Sequence, residues 1–253
     1  MPLCSETLLK QLVDGQPAAL ARAISLVEND LPGREELLAG VPGNSHTTPL
    51  VGFTGAPGVG KSSLINAYTK FCREHNRKVA ILSVDPSSPI SGGAILGDRL
   101  RMAEHNSDDG VFIRSLASRG HLGGLCENIA DIIRLVNATG WDVIILETVG
   151  AGQSEIELAS IADIKIVISA PGMGDAIQAM KAGILEIADI LVVNKSDMPH
   201  AGQTSRDLLA MLRLRPKSRS EVAVIKTVAT KHVGIDELSA AIDGFWKRLH
   251  EER

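Results

Sequence analysis

Several short runs carry side chains whose types and spacing suit nucleotide chemistry. Gly55-Ala56-Pro57-Gly58-Val59-Gly60-Lys61-Ser62 fits a Gly-x-x-x-x-Gly-Lys-Ser phosphate loop, with the apolar Pro49 to Phe53 before it and Leu64 to Tyr68 after it. Such a loop must leave a strand and open a helix. Its glycines let backbone N–H groups turn in around phosphates, and the helix N-terminus adds partial positive charge. Gly55, Gly58, Val59, Gly60, Lys61, Ser62 and Ser63 are the expected phosphate-binding set. Lys61 would reach the β- and γ-phosphates, and the Ser62 hydroxyl would ligate Mg²⁺.

Asn194-Lys195-Ser196-Asp197 follows the apolar run Ile190 to Val193. A carboxylate at a strand end accepts two hydrogen bonds from the guanine ring nitrogen and exocyclic amine, whereas adenine offers the wrong donor pattern and leaves the acceptor unpaired. GTP and GDP are therefore expected over ATP and ADP. Farther on, Thr227-Val228-Ala229 places a small residue at a strand end, where the Ala229 N–H can meet the guanine oxygen.

Between these ends, the run Asp142 to Gly150 closes on Glu147-Thr148-Val149-Gly150, where most GTPases carry Asp-x-x-Gly. The longer glutamate can still hold a magnesium-bound water, and Gly150 can offer its N–H to the γ-phosphate. Asp85 and Asp98 bracket a loop rich in Ser, Gly and Pro. They read either as a turn residue and a helix cap or as ligands around Mg²⁺ that order the loop. Cys126 after two glycines reads as a packing residue, although a helix N-terminus there would lower its thiol pKa.

These groups need a scaffold, and the hydrophobic pattern supplies one. Runs at Leu50 to Thr54, Val79 to Val84, Val111 to Ile113, Val143 to Leu146, Ile164 to Ser169, Ile190 to Val193 and Val222 to Val228 alternate with helical patterns. The helical patterns cover Ser62 to His75, Glu127 to Asn137, Asp175 to Ile187 and Ile235 to Arg248. The expected fold is α/β, a P-loop NTPase with a mostly parallel central sheet covered by helices on both faces. Residues 1–46 read as a short N-terminal helical extension, with Leu20, Ala23, Ile24 and Val27 at helical spacing and an apolar turn from Glu35 to Val41. The run Pro42 to Pro49 is a linker by composition, and 47–253 form the GTPase domain.

Composition excludes other classes. The 253 residues are 44% apolar and 22% charged with net charge −4, which argues against affinity built on neutralising nucleic-acid phosphates. Three scattered cysteines suit a reducing compartment rather than a disulfide framework or metal knuckle. With no apolar run long enough for a membrane helix and no leader pattern at the start, the cytoplasm is the expected location.

The runs Gly52 to Tyr68, Val84 to Met102, Ile113 to Leu125, Glu147 to Glu155 and Pro171 to Asp197 together resemble the cobalamin-chaperone GTPases of the MeaB/ArgK type, related to the human methylmalonic aciduria type A protein. The similarity extends from the N-terminal helices to about residue 245, and the nickel-insertion GTPases resemble the same family in fold. The resemblance implies a GTP hydrolase that gates adenosylcobalamin loading and protects an acyl-CoA mutase. It also admits a cobalamin adenosyltransferase as a second partner. It places Lys61 and Ser62 on phosphate and metal, Asp85, Asp98 and Glu147 around Mg²⁺, and Asn194, Lys195 and Asp197 on the base. Gly172 to Lys181, with Asp175, Gln178 and Lys181, corresponds to a third switch loop or to a solvent-facing helix turn.

Gln153 follows the glutamate switch and could orient the attacking water, and His121 reads as a positioning or packing residue. Family members continue past the Gly234 to Leu238 helix into a dimer arm, whereas this chain stops at Arg253. A homodimer would then rest on another surface or form only with the mutase, unless the chain is truncated. Two other readings stay open: a metal-insertion chaperone, which would want a Cys/His cluster, and a P-loop kinase, which would want an arginine-rich lid.

Overall fold

The computed structural model describes residues 5–43, 48–85, 103–105, 107–118, 125–148, 153–172, 187–213 and 222–251. Three helices come first: α1 (Ser5–Val13), α2 (Pro17–Glu28) and α3 (Arg34–Gly40). Pro17 sits in the first turn of α2, where the N–H it lacks has no helical partner to lose. The expected apolar turn after residue 34 is instead the helix α3, which buries Leu37. Then follow β1 (Leu50–Gly55), α4 (Lys61–Glu74), β2 (Val79–Asp85) and β3 (Val111–Ala117). Next come α5 (Ile129–Asn137), β4 (Val143–Thr148), α6 (Gln153–Ile161) and β5 (Ile164–Ser169). The chain closes with β6 (Ile190–Val193), α7 (Ala201–Leu212), β7 (Ala223–Lys226) and α8 (Ile235–Glu251).

The strands form one seven-stranded sheet in the order β3-β2-β4-β1-β5-β6-β7, with every pairing parallel. Successive side chains on a strand point to opposite faces, so an all-buried strand must feed two cores. Leu50, Ala80, Leu82, Ile144 and Leu146 pack with α1, α2, α3, α5 and α6 on one face. Their neighbours Val51, Val79, Ile81, Val143 and Ile145 pack with α4 and α8 on the other. A smaller cluster of Val167, Leu191, Val193 and Leu208 seats α7. The P-loop NTPase architecture expected from the sequence is the one observed.

The N-terminal helices are seated on the same core as the sheet, with Leu12, Leu20, Ile24 and Val27 fully buried. Polar ties reinforce the packing: Glu28 accepts from Arg114 Nη2 at 2.8 Å and from the Ala117 N–H at 3.1 Å. The boundary expected between residues 46 and 47 falls outside the described residues.

Because all strands are parallel, their carboxyl ends gather on one edge of the sheet. Gly55, Asp85, Thr148, Ser169 and Val193 end their strands there, and ligands of open α/β sheets bind along that edge.

Candidate functional site

The phosphate loop leaves β1 at Gly55 and enters α4 at Lys61. Gly60 caps α4 with φ of +92°, and a Cβ there would lie 2.6 Å from Asn194 Nδ2. At Gly55 a Cβ would collide with the Ile168 carbonyl of β5. Neither position has room for a side chain. Lys61 and Ser62 are buried in the first turn of α4, Val59 is fully buried, and Ser63 is exposed. Lys61 Nζ donates to the Gly55 carbonyl at 2.7 Å and to the Ala56 carbonyl at 3.4 Å.

At the end where the sequence expects a metal, the Ser62 hydroxyl donates to Glu147 Oε1 at 2.9 Å. Ser83 Oγ donates to Glu147 Oε2 at 3.4 Å from the adjacent strand, in the register Ser83↔Glu147. Glu147 and Asp85 are both buried. The site is all oxygen, with the Ser62 and Ser83 hydroxyls beside two carboxylates at neighbouring strand ends. That hard donor set fits Mg²⁺, which takes few protein ligands and keeps several waters. Ser83 was not singled out in the sequence; its position two residues before Asp85 gains meaning only when β2 is paired with β4.

At the end where the sequence expects the base, Asn194 is buried and holds three loops together. Its Nδ2 donates to the Val59 carbonyl at 2.9 Å and the Gly60 carbonyl at 3.5 Å. Its Oδ1 accepts from Thr227 Oγ1 at 3.1 Å and from the Ala229 N–H at 3.2 Å. Lys195 adopts φ of +55°, a conformation uncommon for a residue with a side chain, and its Nζ donates to the Gly58 carbonyl at 2.7 Å. The base loop is thereby fastened to the phosphate loop at Gly58, Val59 and Gly60. Asp197 sits beyond this brace, and its Oδ2 accepts from Lys231 Nζ at 2.8 Å. That bond holds the Asp197 carboxyl below its ordinary pKa. Thr227 and Lys231 are further partners that the sequence motifs did not single out.

Some expected members lie outside the described residues: Asp98, His121, Gly150, and the loop members Asp175, Gln178 and Lys181. Gln153 is the first residue of α6, and its side chain is also outside them. Cys126 is buried two residues before Asn128, the N-cap of α5; burial outweighs the lowering by the Cys126 and Asn128 backbone N–H groups and pushes the thiol pKa up to about 12. It is a packing residue.

The family description "Methylmalonyl Co-A mutase-associated GTPase MeaB" matches residues 20–252. The chain belongs to the MeaB family of GTPases. A protein of Pyrococcus abyssi named as a GTPase is 41% identical over 252 residues, covering 98% of this chain and 76% of that one. GTPase ArgK of Escherichia coli is 38% identical over 247 residues, covering 94% of this chain and 74% of ArgK. Among solved structures, an LAO/AO transport system kinase superposes with a TM-score of 0.79 at 28% identity, covering all of this chain and 78% of its own. HypB from Helicobacter pylori in complex with nickel shares the fold, with a TM-score of 0.59 at 17% identity over 90% of this chain and 95% of that one. As a member of the MeaB family, the chain is a GTP-binding GTP hydrolase.

Proposed function

We propose that this MeaB-family GTPase is a nucleotide-switched chaperone of an adenosylcobalamin-dependent acyl-CoA mutase, gating cofactor loading and protecting the loaded enzyme. In this reading a cobalamin adenosyltransferase is the donor of that cofactor, and the reducing cytoplasm is the setting we assign. The family description names association with methylmalonyl Co-A mutase, which supports the mutase as partner.

The observation that carries the switch reading is the Ser62–Glu147 hydrogen bond. It joins the phosphate loop to the end of β4, from which the chain runs on to Gly150 and Gln153. In the proposed roles, the loop from Gly55 to Ser63 cradles the phosphates. Lys61 exchanges its carbonyl contacts for the β- and γ-phosphate oxygens, where its charge offsets the charge that develops in phosphoryl transfer. Ser62, Glu147, Asp85 and Asp98 would hold Mg²⁺, which when bound would supply positive charge to offset that of the phosphates. Asp197 reads the guanine N–H groups, Ala229 its oxygen, and Asn194 and Lys195 hold the base loop against the phosphate loop. Gln153 orients the attacking water.

The metal-insertion reading has less to stand on. No group of three or more His, Cys, Asp or Glu side chains able to hold a metal occurs among the described residues. The likeness to HypB is one of fold.

The test is to co-purify the chain with tagged methylmalonyl-, isobutyryl- and hydroxyisobutyryl-CoA mutases and to measure GTP hydrolysis with and without each. One mutase should be retained and should accelerate hydrolysis by roughly 5- to 150-fold, the range of ordinary coupling energies. Absence of both retention and acceleration with all three would overturn the mutase assignment while leaving the GTPase intact.

A further inference from the structure

The base-reading carboxylate already has a cationic partner within the chain. Lys231 donates its ammonium to Asp197 Oδ2 at 2.8 Å across 34 residues of sequence. The Lys231 backbone is held by a tight turn, with its N–H on the Val228 carbonyl at 2.9 Å and Val228 and Val233 exchanging backbone hydrogen bonds at 3.0 and 3.3 Å. His232 at φ of +54° and Gly234, where a Cβ would strike the Lys226 carbonyl, complete that turn. The lysine is therefore presented to Asp197 by a built loop and does not reach it from a mobile tail.

We propose that Lys231 competes with the guanine base for Asp197 and so sets the nucleotide affinity of the site from within the protein. The inference rests on the reading of Asp197 as the guanine-binding carboxylate. Guanine presents two N–H donors side by side, one to each oxygen of a carboxylate. An ammonium on Oδ2 occupies part of that acceptor and cancels part of its charge, and a charge-assisted bond is worth more than a neutral one. Guanine must displace Lys231 or share Oδ2 with it. The side chains of Lys231 and Asp197 are 62% and 41% exposed, so the pair is solvated and yields readily. Its influence is a tuning of affinity and not a block.

The experiment is a double-mutant cycle on the full chain by calorimetry. Lys231→Ala is compared with wild type for GDP binding. It is then compared again in an Asp197→Asn background with xanthosine diphosphate, whose 2-oxo group suits the amide donor. With the titrations run at a pH low enough to keep the xanthine ring neutral, loss of one positive charge near the diphosphate is common to both comparisons and cancels. We expect Lys231→Ala to favour GDP binding by about two- to five-fold relative to its effect on xanthosine diphosphate, the scale of an exposed ion pair. Raising the salt should shrink that difference. Equal effects in the two backgrounds would overturn the proposal and leave Lys231 acting through phosphate charge alone. A relative loss of GDP affinity would also overturn it, making Lys231 a support for Asp197. If Asp197→Asn binds GDP as wild type does and gains nothing for xanthosine diphosphate, the base reading itself fails, a result distinct from the other two.

Discussion

At the scale of single residues, the site depends on Asn194 more than its place in a four-residue motif suggests. One buried amide serves Val59, Gly60, Thr227 and Ala229. Asn194→Ala would strip partners from the Thr227 hydroxyl and the Ala229 N–H. A cost of roughly 1 to 3 kcal/mol in stability is expected for buried polar groups left unsatisfied, read as a lower urea midpoint, together with weaker GDP binding. Asp197 makes a different prediction. Its folded pKa is lowered by Lys231, so its ionised form persists as pH falls through the ordinary carboxylate value, near 3.9, and is lost only below it. GDP affinity measured between about pH 5 and pH 8 should show no step from this carboxylate. The motifs Gly55 to Ser62 and Asn194 to Asp197 were legible because each is contiguous. Ser83, Thr227 and Lys231 were not, because their partners lie 64, 33 and 34 residues away.

At the scale of elements, α6 carries the segment after the glutamate switch and lies tightly on β1. A Cβ at Gly52 would come 2.5 Å from Leu158 Cδ2 and 2.9 Å from Ala162 Cβ. Gly52→Ala should therefore push α6 outward and cost roughly 1 to 3 kcal/mol through overpacking, measured by chemical denaturation. Hydrolysis should fall further than stability alone explains, since α6 follows Glu147 and Gly150. The strands buried on both faces were readable from their apolar runs, and β5 and β6 have the expected bounds. β3 was expected to stop at Ile113 because Arg114 and Ser115 interrupt the pattern. It continues to Ala117 because Arg114 is neutralised by Glu28 of α2, a contact 86 residues away in sequence. β7 is shorter than its apolar run, since Thr227 and Val228 leave the sheet for the base loop. No bounds were expected for helices α6 and α7, although the basic run from Arg213 to Arg219 reads as a helix end and loop and α7 does end at Leu212. The inner face of α7 carries Thr204 and Ser205 beside Ala201 and Leu208, so its helical period is written largely in small polar residues.

At the scale of the whole molecule, the N-terminal helices and the nucleotide-binding sheet share a core, which ties the stability of one to the other. Leu20 of α2 is fully buried in the cluster that also holds Leu82, Ile133 and Leu146. Leu20→Ala should cost roughly 2 to 5 kcal/mol, the range for a leucine truncated in a closed core. Unfolding should remain a single transition by far-UV circular dichroism and tryptophan fluorescence alike. The same unity gathers Lys61, Ser62 and Glu147 on the sheet edge that also carries Asn194, Lys195 and Asp197, the two groups proposed above to hold the phosphate and base ends of the nucleotide. The most direct measurement is steady-state phosphate release from GTP and ATP by the purified chain with Mg²⁺, alongside Lys61→Ala. The proposed nucleotide site should give a kcat/KM for GTP on the order of 10⁴ times that for ATP, as polar sites discriminate, and no release above background from Lys61→Ala. Comparable turnover of the two nucleotides, or a Lys61→Ala variant as active as wild type, would contradict it.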